Sequence, residues 1–299
     1  VKKFFDRFRN KKTKPLTSPL NVNTIPLNDK QIAEAFGQLT HPEPPQLVHG
    51  CGQSVGKQRD HNEDSLFAFN VTIGGEGNNF PIGLFIVADG MGGHQYGEVA
   101  SATAMRTLAG YILKRFHPYI FNPSNNLDEP LQDVMRAAIN EAQRSVTQAA
   151  PGSGTTLTAA LVFGQQVTIG HVGDSRAYAI HPDGRVETLT RDHSLVKRLE
   201  ELGQISSDEA AVHPQRNVLY RAIGQGETLD ADVFTTPFPQ LGYLLICSDG
   251  LWGVVPDDYI SRIIKDAPTI QKACQNLVLA ANDAGGPDNI SVIIVQLLG

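Results

Sequence analysis

Cysteine is scarce: Cys51, Cys247 and Cys274 lie far apart in a chain of 299 residues and form no C-x-x-C pair. That argues against a disulfide scaffold and a thiolate zinc site, and it fits a reducing compartment. Long apolar runs are also missing. No stretch approaches the ~18 residues of a membrane span, and no apolar segment follows the basic start, so neither a transmembrane segment nor a secretory signal is expected. Excess positive charge is absent, with 25 Lys+Arg facing 31 Asp+Glu for a net charge of −6. That balance argues against nucleic acid as the main partner. A chain of this length can bury roughly three quarters of its unfolded surface, as one α/β domain of about 250 residues or as two smaller ones. The expectation is a soluble, cytoplasmic globular protein.

The charge is unevenly placed. Residues 1–14 hold seven basic residues and one acid, leaving 18 basic against 30 acidic residues for the rest. Residues 15–45 then carry six of the 18 prolines. Residues 1–46 therefore read as a basic head and a flexible Pro-rich linker, with the folded domain spanning 47–299. In the head, Phe4, Phe5 and Phe8 interleave with cations; a membrane-surface patch is one reading, but a single short segment does not anchor stably, and a solvated tail is the simpler one.

From Leu47 onward, strand-length apolar or β-branched runs alternate with turn residues. LFIVA (84–88), TLTAALVF (156–163), QVTIGHV (166–172), RAYAI (176–180), YLLICS (243–248) and SVIIVQLL (291–298) are bounded by Gly, Asp or Pro. The breaks GQ and GDS are too short for crossover helices and suit antiparallel strands. Two long helices are expected. In 96–116, Val99, Ala102, Met105, Ala109, Ile112 and Phe116 recur at helical spacing; in 128–148, Leu131, Val134, Ala138, Ala142 and Val146 do so, with Asp128 as cap and Pro130 in the first turn. Further helices are expected at 195–203, 257–266 and 269–283. This grouping predicts antiparallel sheets faced by helices, not a doubly wound parallel sheet.

Acids recur at the ends of strands. LFIVADG places Asp89-Gly90 and LLICSDG places Asp249-Gly250 directly after apolar runs; HVGDSR places Asp174 after another; GGPDNISV places Asp288 before the last one; and NEDS sets Glu63 and Asp64 ahead of SLFAF. One Asp-Gly after a strand is most simply a turn, and a lone surface acid is usually just solvated. Six acids in five matching contexts suggest more. Strand ends are rigid platforms on which carboxylates can converge, and such convergence needs a compensating cation. Oxygen donors without His or Cys select Mg²⁺ or Mn²⁺ over zinc.

VGKQRDHNEDS (55–65), ADGMGGHQYGEVAS (88–101), SGTTLTAALV (153–162), GHVGDSRAY (170–178), LTRDHS (189–194), RAIG (221–224), LLICSDGLW (244–252) and GGPDNISV (285–292) follow in one order over residues 50–299. Together they resemble the bacterial branch of the metal-dependent type 2C serine/threonine protein phosphatases. The resemblance implies an α+β fold, a four-layer α/β/β/α sandwich of two antiparallel β-sheets flanked by helices, with a dinuclear metal cleft at one end. It implies hydrolysis of phosphoserine and phosphothreonine by direct attack of a metal-bridging hydroxide, without a phosphoenzyme. The cofactors would be two Mn²⁺ or Mg²⁺ ions and a third, weakly bound.

By the same resemblance Asp89 would bridge both metals and the Gly90 carbonyl would hold the second. Asp249 and Asp288 would complete the first. Asp64 would lie at the second directly or through water, assisted by Glu63, and Asp174 with Asp249 would form the third position. Arg59 would bind phosphate, and residues 194–221 would be a flap associated with substrate choice. His94, at the end of DGMGGH, is the candidate general acid, although eukaryotic members carry their histidine directly after Asp-Gly, where this chain has Met91; a loop histidine is the other reading. The partners implied are phosphorylated proteins, among them a serine/threonine kinase and its targets, with the phosphatase a monomer.

Elementary chemistry agrees. Phosphomonoester hydrolysis is among the slowest uncatalysed reactions. Two metals about 3.5–4 Å apart can acidify a bridging water to hydroxide at neutral pH, while a guanidinium fork clamps two phosphoryl oxygens. Other tempting residues read as structural: His171 as a satisfied interior histidine, Cys247 as a small core residue, and Thr155 and Thr156 as hydrogen bonders where a strand begins. Nothing assigns chemistry to His61 or His193. Two alternatives stay open. An aspartyl-nucleophile phosphohydrolase would want D-x-D-x-T on a parallel sheet, and a catalytically silent signalling scaffold of the same fold would be marked by loss of acids that this chain keeps.

Overall fold

The computed structural model describes residues 44–74, 80–92, 96–121, 129–226 and 229–299. Most of the expected head and linker, together with His94 and Asp128, lies outside the described residues. One antiparallel sheet has the order β1 (Gln46–Ser54), β11 (Ile290–Leu298), β10 (Tyr243–Cys247), β7 (Arg176–Ile180), β8 (Val186–Thr188). The other runs β2 (Asp64–Ile73), β3 (Phe80–Met91), β5 (Leu157–Phe163), β6 (Gln166–Val172), β9 (Asp232–Pro237), with the short β4 (Gly154–Thr155) on the end of β3.

Period-two alternation explains how the sheets stack. On β3, Phe85 and Val87 point into the space between the sheets, where they meet Leu244 and Ile246 of β10 and Ile293 and Val295 of β11. Ile82, Leu84, Ile86 and Ala88 point the other way, onto helices α1 (Gly97–Phe121) and α2 (Leu131–Ala149). On the far side Leu245, Cys247, Ile290, Val292 and Ile294 face α6 (Asp257–Asp266) and α7 (Ile270–Asp283). Strands buried on both faces cannot afford polar residues on either, which is why these runs read as continuously apolar. The result is the expected four-layer sandwich. Between β8 and β9 lie α3 (Leu195–Glu201) and α4 (Ser207–Ala211), and α5 (Asp249–Trp252) follows β10.

Several details depart from expectation. The buried stripe of α1 is Ala100, Ala104, Leu108, Ile112 and Phe116, displaced toward the small residues; Val99 and Met105 only flank it. Alanines win that face because they let the helix lie close to β3. Helix α2 starts at Leu131 with Pro130 in the capping position, outside the first turn. Strands β1, β8 and β9 are legible only with difficulty, because glycines or exposed polar residues interrupt their apolar pattern. The break GQ makes the expected hairpin between β5 and β6. The break GDS does not: β6 and β7 belong to different sheets, so Gly173–Ser175 carries the chain across the end of the sandwich. Among the described residues no helix is long and apolar enough to cross a membrane.

Candidate metal centre

The register of β2 and β3 sets Asp64 directly opposite Asp89. Asp249 opens α5 with only Ser248 between it and β10, and Asp288 is separated from β11 by Asn289 alone; β10 and β11 are neighbours in the facing sheet. Asp174 sits in the sheet-to-sheet crossing. A cleft of about 360 Å³ opens there, lined among others by Arg59, Glu63, Asp89, Gly90, Asp174, Asp249 and Asp288. Asp64 lies beneath rather than in the wall, nearly buried at 8 % exposure. Thus seven of the nine residues singled out by sequence line one cleft, Asp64 lies under it, and His94 falls outside the described residues.

The cleft is electrostatically frustrated. Burial, and then the charges of Asp64 and Asp249, holds the Asp89 carboxyl well above the usual range. Burial, followed by the charge of Asp249, does the same to Asp174. Asp64 is pushed up to about 7 by burial, against the hydrogen bonds it accepts. Asp249 rises to about 6 through burial and then the charge of Asp288. Local donors answer only part of this demand: Ser248 Oγ donates to Asp64 Oδ2 at 2.7 Å, and Arg59 Nη2 to Asp288 Oδ2 at 2.7 Å. Among the described residues, two buried oxygens, Asp64 Oδ1 and Asp249 Oδ1, have no hydrogen-bond partner. Among the described residues no three acidic, His or Cys side chains form a finished coordination set.

Buried carboxylate oxygens normally find donors, and leaving one unmade is costly. Orphaned oxygens, oxygen-only donors and mutual repulsion together fit hard divalent cations, which supply the missing positive charge and draw the acids in. The residues present therefore fit Mn²⁺ or Mg²⁺.

Among the supporting residues, Asn289, Ser248 and Trp252 were not singled out by sequence. Asn289 Oδ1 accepts from the Glu63 N–H at 2.8 Å, and its Nδ2 donates to Val55 O at 2.8 Å and His61 O at 3.0 Å. This pins the loop that carries Arg59 and Glu63 beside Asp288. Ser248, fully buried, also accepts the Ser291 N–H at 2.9 Å. Thr156 Oγ1 accepts from the Asp89 N–H at 2.9 Å and pairs with Ser175 Oγ at 2.7 Å, the strand-start role expected of it. Trp252 Nε1 donates to Asp174 O at 3.0 Å, with Arg176 stacked 3.6 Å from its ring centre. A Cβ on Gly90 would stand 2.6 Å from the Glu63 carbonyl oxygen and closer still to that of Gly97, so only glycine brings these backbones together. His171 is buried between Thr158 Oγ1 at 2.9 Å and Arg191 O at 3.0 Å. Cys247 is packed against the α6–α7 layer.

The family description "protein phosphatase 2C" matches residues 48–290. The chain belongs to the protein phosphatase 2C family. A serine/threonine phosphatase of Listeria monocytogenes is 37 % identical over 247 residues, covering 81 % of this chain and 92 % of its own. The protein phosphatase PhpP of Streptococcus pneumoniae is 33 % identical over 255 residues, covering 81 % of this chain and 94 % of its own. Among solved structures, Stp1 of Staphylococcus aureus superposes with a TM-score of 0.70 at 33 % identity, covering 85 % of this chain and 96 % of the other. The catalytic domain of PstP in complex with two manganese ions gives 0.68 at 27 % identity, over 85 % and 99 % of the two chains. As a protein phosphatase 2C, the chain is a protein-serine/threonine phosphatase that acts on phosphorylated proteins and depends on Mn²⁺ or Mg²⁺. The dinuclear cleft is that of the family fold.

Proposed function

We propose that the acids of the cleft divide as follows in holding two ions. Asp89 reaches both, Asp249 and Asp288 complete the first site, and the Gly90 carbonyl, with Asp64 and Glu63 directly or through water, serves the second. Asp174 with Asp249 serves a third, weaker position. The observation that carries this reading is the pair of unpartnered buried oxygens, Asp64 Oδ1 and Asp249 Oδ1, among carboxylates from five separate segments. When bound, the ions supply a water acidic enough to attack phosphorus near neutral pH and positive charge for the phosphoryl oxygens.

The protein's own groups do the rest. The Arg59 guanidinium, 48 % exposed at the rim, presents its free N–H groups to two oxygens of the phosphomonoester while one remains on Asp288. Asn289 fixes the loop on which Arg59 rides. Among the described residues, the hydroxyl and thiol nearest the acids are not free to act as covalent nucleophiles in place of water. Thr156 Oγ1 is committed to Asp89 and Ser175, Cys247 is buried, and β3 pairs antiparallel on both sides, unlike the parallel sheet an aspartyl nucleophile wants. The leaving alkoxide takes its proton from water or from a side chain, and His94 is the candidate named by sequence.

Residues 47–299 are the catalytic domain, residues 1–46 the basic head and Pro-rich linker ahead of it, and 194–221 a flap; Asn217 and Leu219 reach the cleft wall from that flap. The protein works as a cytoplasmic monomer that reverses the action of a serine/threonine kinase on that kinase and its targets. The test is a phosphopeptide panel with Mn²⁺ or Mg²⁺. Turnover of phosphoserine and phosphothreonine peptides that EDTA abolishes and phosphotyrosine peptides do not share is expected. Absence of turnover at saturating Mn²⁺ would instead favour the silent scaffold.

A further inference from the structure

A second cavity, of about 370 Å³, is lined by Arg191, His193, Arg198, Tyr220, Arg221 and Asp232. It belongs to no part of the metal centre. Its walls bring three guanidinium groups from three segments: the stretch after β8, helix α3, and the end of the flap. One carboxylate, Asp232, shares the lining with them, and Asp230 and Glu201 pair with them from outside it. We propose that this cavity is a binding site for a second anionic group of the substrate, best a second phosphoryl group, engaged while the first occupies the metal centre; the proposal rests on the phosphatase reading above.

The existing contacts leave room for such a guest. Arg221 donates to Asp230 Oδ2 at 2.7 Å and to Asp232 Oδ1 at 3.3 Å, but Asp230 is 83 % exposed, and a pair that open to water holds its partner weakly. Arg191 and Arg198 share one acid, Glu201, so two guanidinium groups answer to a single carboxylate. His193 Nδ1 accepts the Gly173 N–H at 3.1 Å; its Nε2 therefore carries the hydrogen and points it at Asp232 Oδ2, 3.3 Å away. The donors left over are forked N–H groups, whose geometry matches the oxygens of a phosphoryl group.

Position supplies the link to catalysis. One short stretch of the flap divides the two cavities: Asn217 and Leu219 face the metal cleft, whereas Tyr220 and Arg221 face the arginine cavity. The stretch is anchored by Leu195 N–H to Val218 O at 2.8 Å and Tyr220 N–H to His193 O at 2.9 Å. His193 also donates its own N–H to Gly173 O at 2.7 Å, next to Asp174. A peptide crossing this stretch can therefore address both cavities.

The experiment compares wild type with the double variant Arg191→Ala/Arg198→Ala in saturating Mn²⁺. Three substrates are used: p-nitrophenyl phosphate, a singly phosphorylated peptide, and the same peptide carrying a second phosphate at a series of spacings. Initial release of the first phosphate is read. For wild type, kcat/KM on the best doubly phosphorylated peptide should exceed that on the singly phosphorylated one about tenfold. The variant should lose that advantage through KM, while staying within twofold on the other two substrates. Uniform loss on all three substrates, or no wild-type preference at any spacing, overturns the proposal. In an Asp249→Asn background, titration with inorganic phosphate separates a substrate subsite from a site for the free ion. Phosphate binding that the arginine variants abolish, without any preference for doubly phosphorylated peptide, also overturns it. Failure of wild type on p-nitrophenyl phosphate would strike the phosphatase reading instead.

Discussion

Replacing Asp249 by asparagine should make the metal-free protein more stable and inactive at once. The side chain is buried at the start of α5, its carboxyl raised from 3.8 to about 6 by burial and then by Asp288, and its Oδ1 has no partner. A carboxyl whose folded pKa lies above its unfolded value favours the folded state at low pH. That advantage is lost as pH rises through the folded value, because the unfolded chain releases the proton more readily. At about 1.4 kcal/mol per pKa unit, the resulting penalty is about 1 kcal/mol at pH 4.5 and levels off near about 3 kcal/mol by pH 7.5. Asparagine keeps the volume and carries no charge. With about 2–4 °C per kcal/mol for a domain of this size, the variant in EDTA should melt about 6–12 °C higher than wild type at pH 7.5, and about 2–4 °C higher at pH 4.5. Mn²⁺ should reverse the order. At a hundredfold excess over Kd it adds about 2.7 kcal/mol to the wild type, whereas the variant, short of one ligand, should gain far less. Turnover of p-nitrophenyl phosphate should fall about a thousandfold, a loss of about 4 kcal/mol of transition-state stabilisation. Calorimetry at the two pH values, with EDTA and then with Mn²⁺, reads all of this except turnover. A variant no more stable than wild type at pH 7.5, or a gain that does not shrink toward pH 4.5, refutes the picture of a frustrated acid cluster.

Arg59→Ala should raise KM for p-nitrophenyl phosphate about tenfold with a smaller fall in kcat, since a charged hydrogen bond to the phosphoryl group is worth about 1.5–3 kcal/mol; an unchanged KM removes the clamp. Gly90→Ala should destabilise the protein by several kcal/mol, roughly 3 or more, because its Cβ would be driven into the carbonyls of Glu63 and Gly97; a melting temperature within about 2 °C of wild type contradicts that close approach. Mn²⁺ binding to wild type should release protons at pH 6, where Asp64, raised to about 7, is still mostly protonated; titration calorimetry in buffers of different ionisation enthalpy reads the number, and no release would mean the acid is already ionised.

How much of this was legible in the chain follows from what each residue does locally. Asp89, Asp174, Asp249 and Asp288 stand out because each interrupts an apolar run at its end, a pattern that survives without any tertiary information. Their meeting point does not. It depends on β2 pairing β3 so that Asp64 faces Asp89, on β10 lying beside β11, and on GDS crossing between sheets instead of turning a hairpin. The supporting polar residues are less visible still. Thr156 is legible as a hydrogen bonder where a strand begins, but Ser248 and Asn289 have the composition of ordinary turns, and only the structure shows that their side chains hold Asp64 and the Arg59 loop. The division has a physical reason. Acids that will bind metal must be left partly unsatisfied by the protein, so they sit at conspicuous chain breaks, whereas the groups that aim them must be fully satisfied and so disappear into the hydrogen-bonded background. The same logic explains why the cleft tolerates carboxylates as high as about 7 and about 6: a site that neutralised its own acids would have nothing left with which to hold the ions, and the stability given up without metal is the affinity recovered with it.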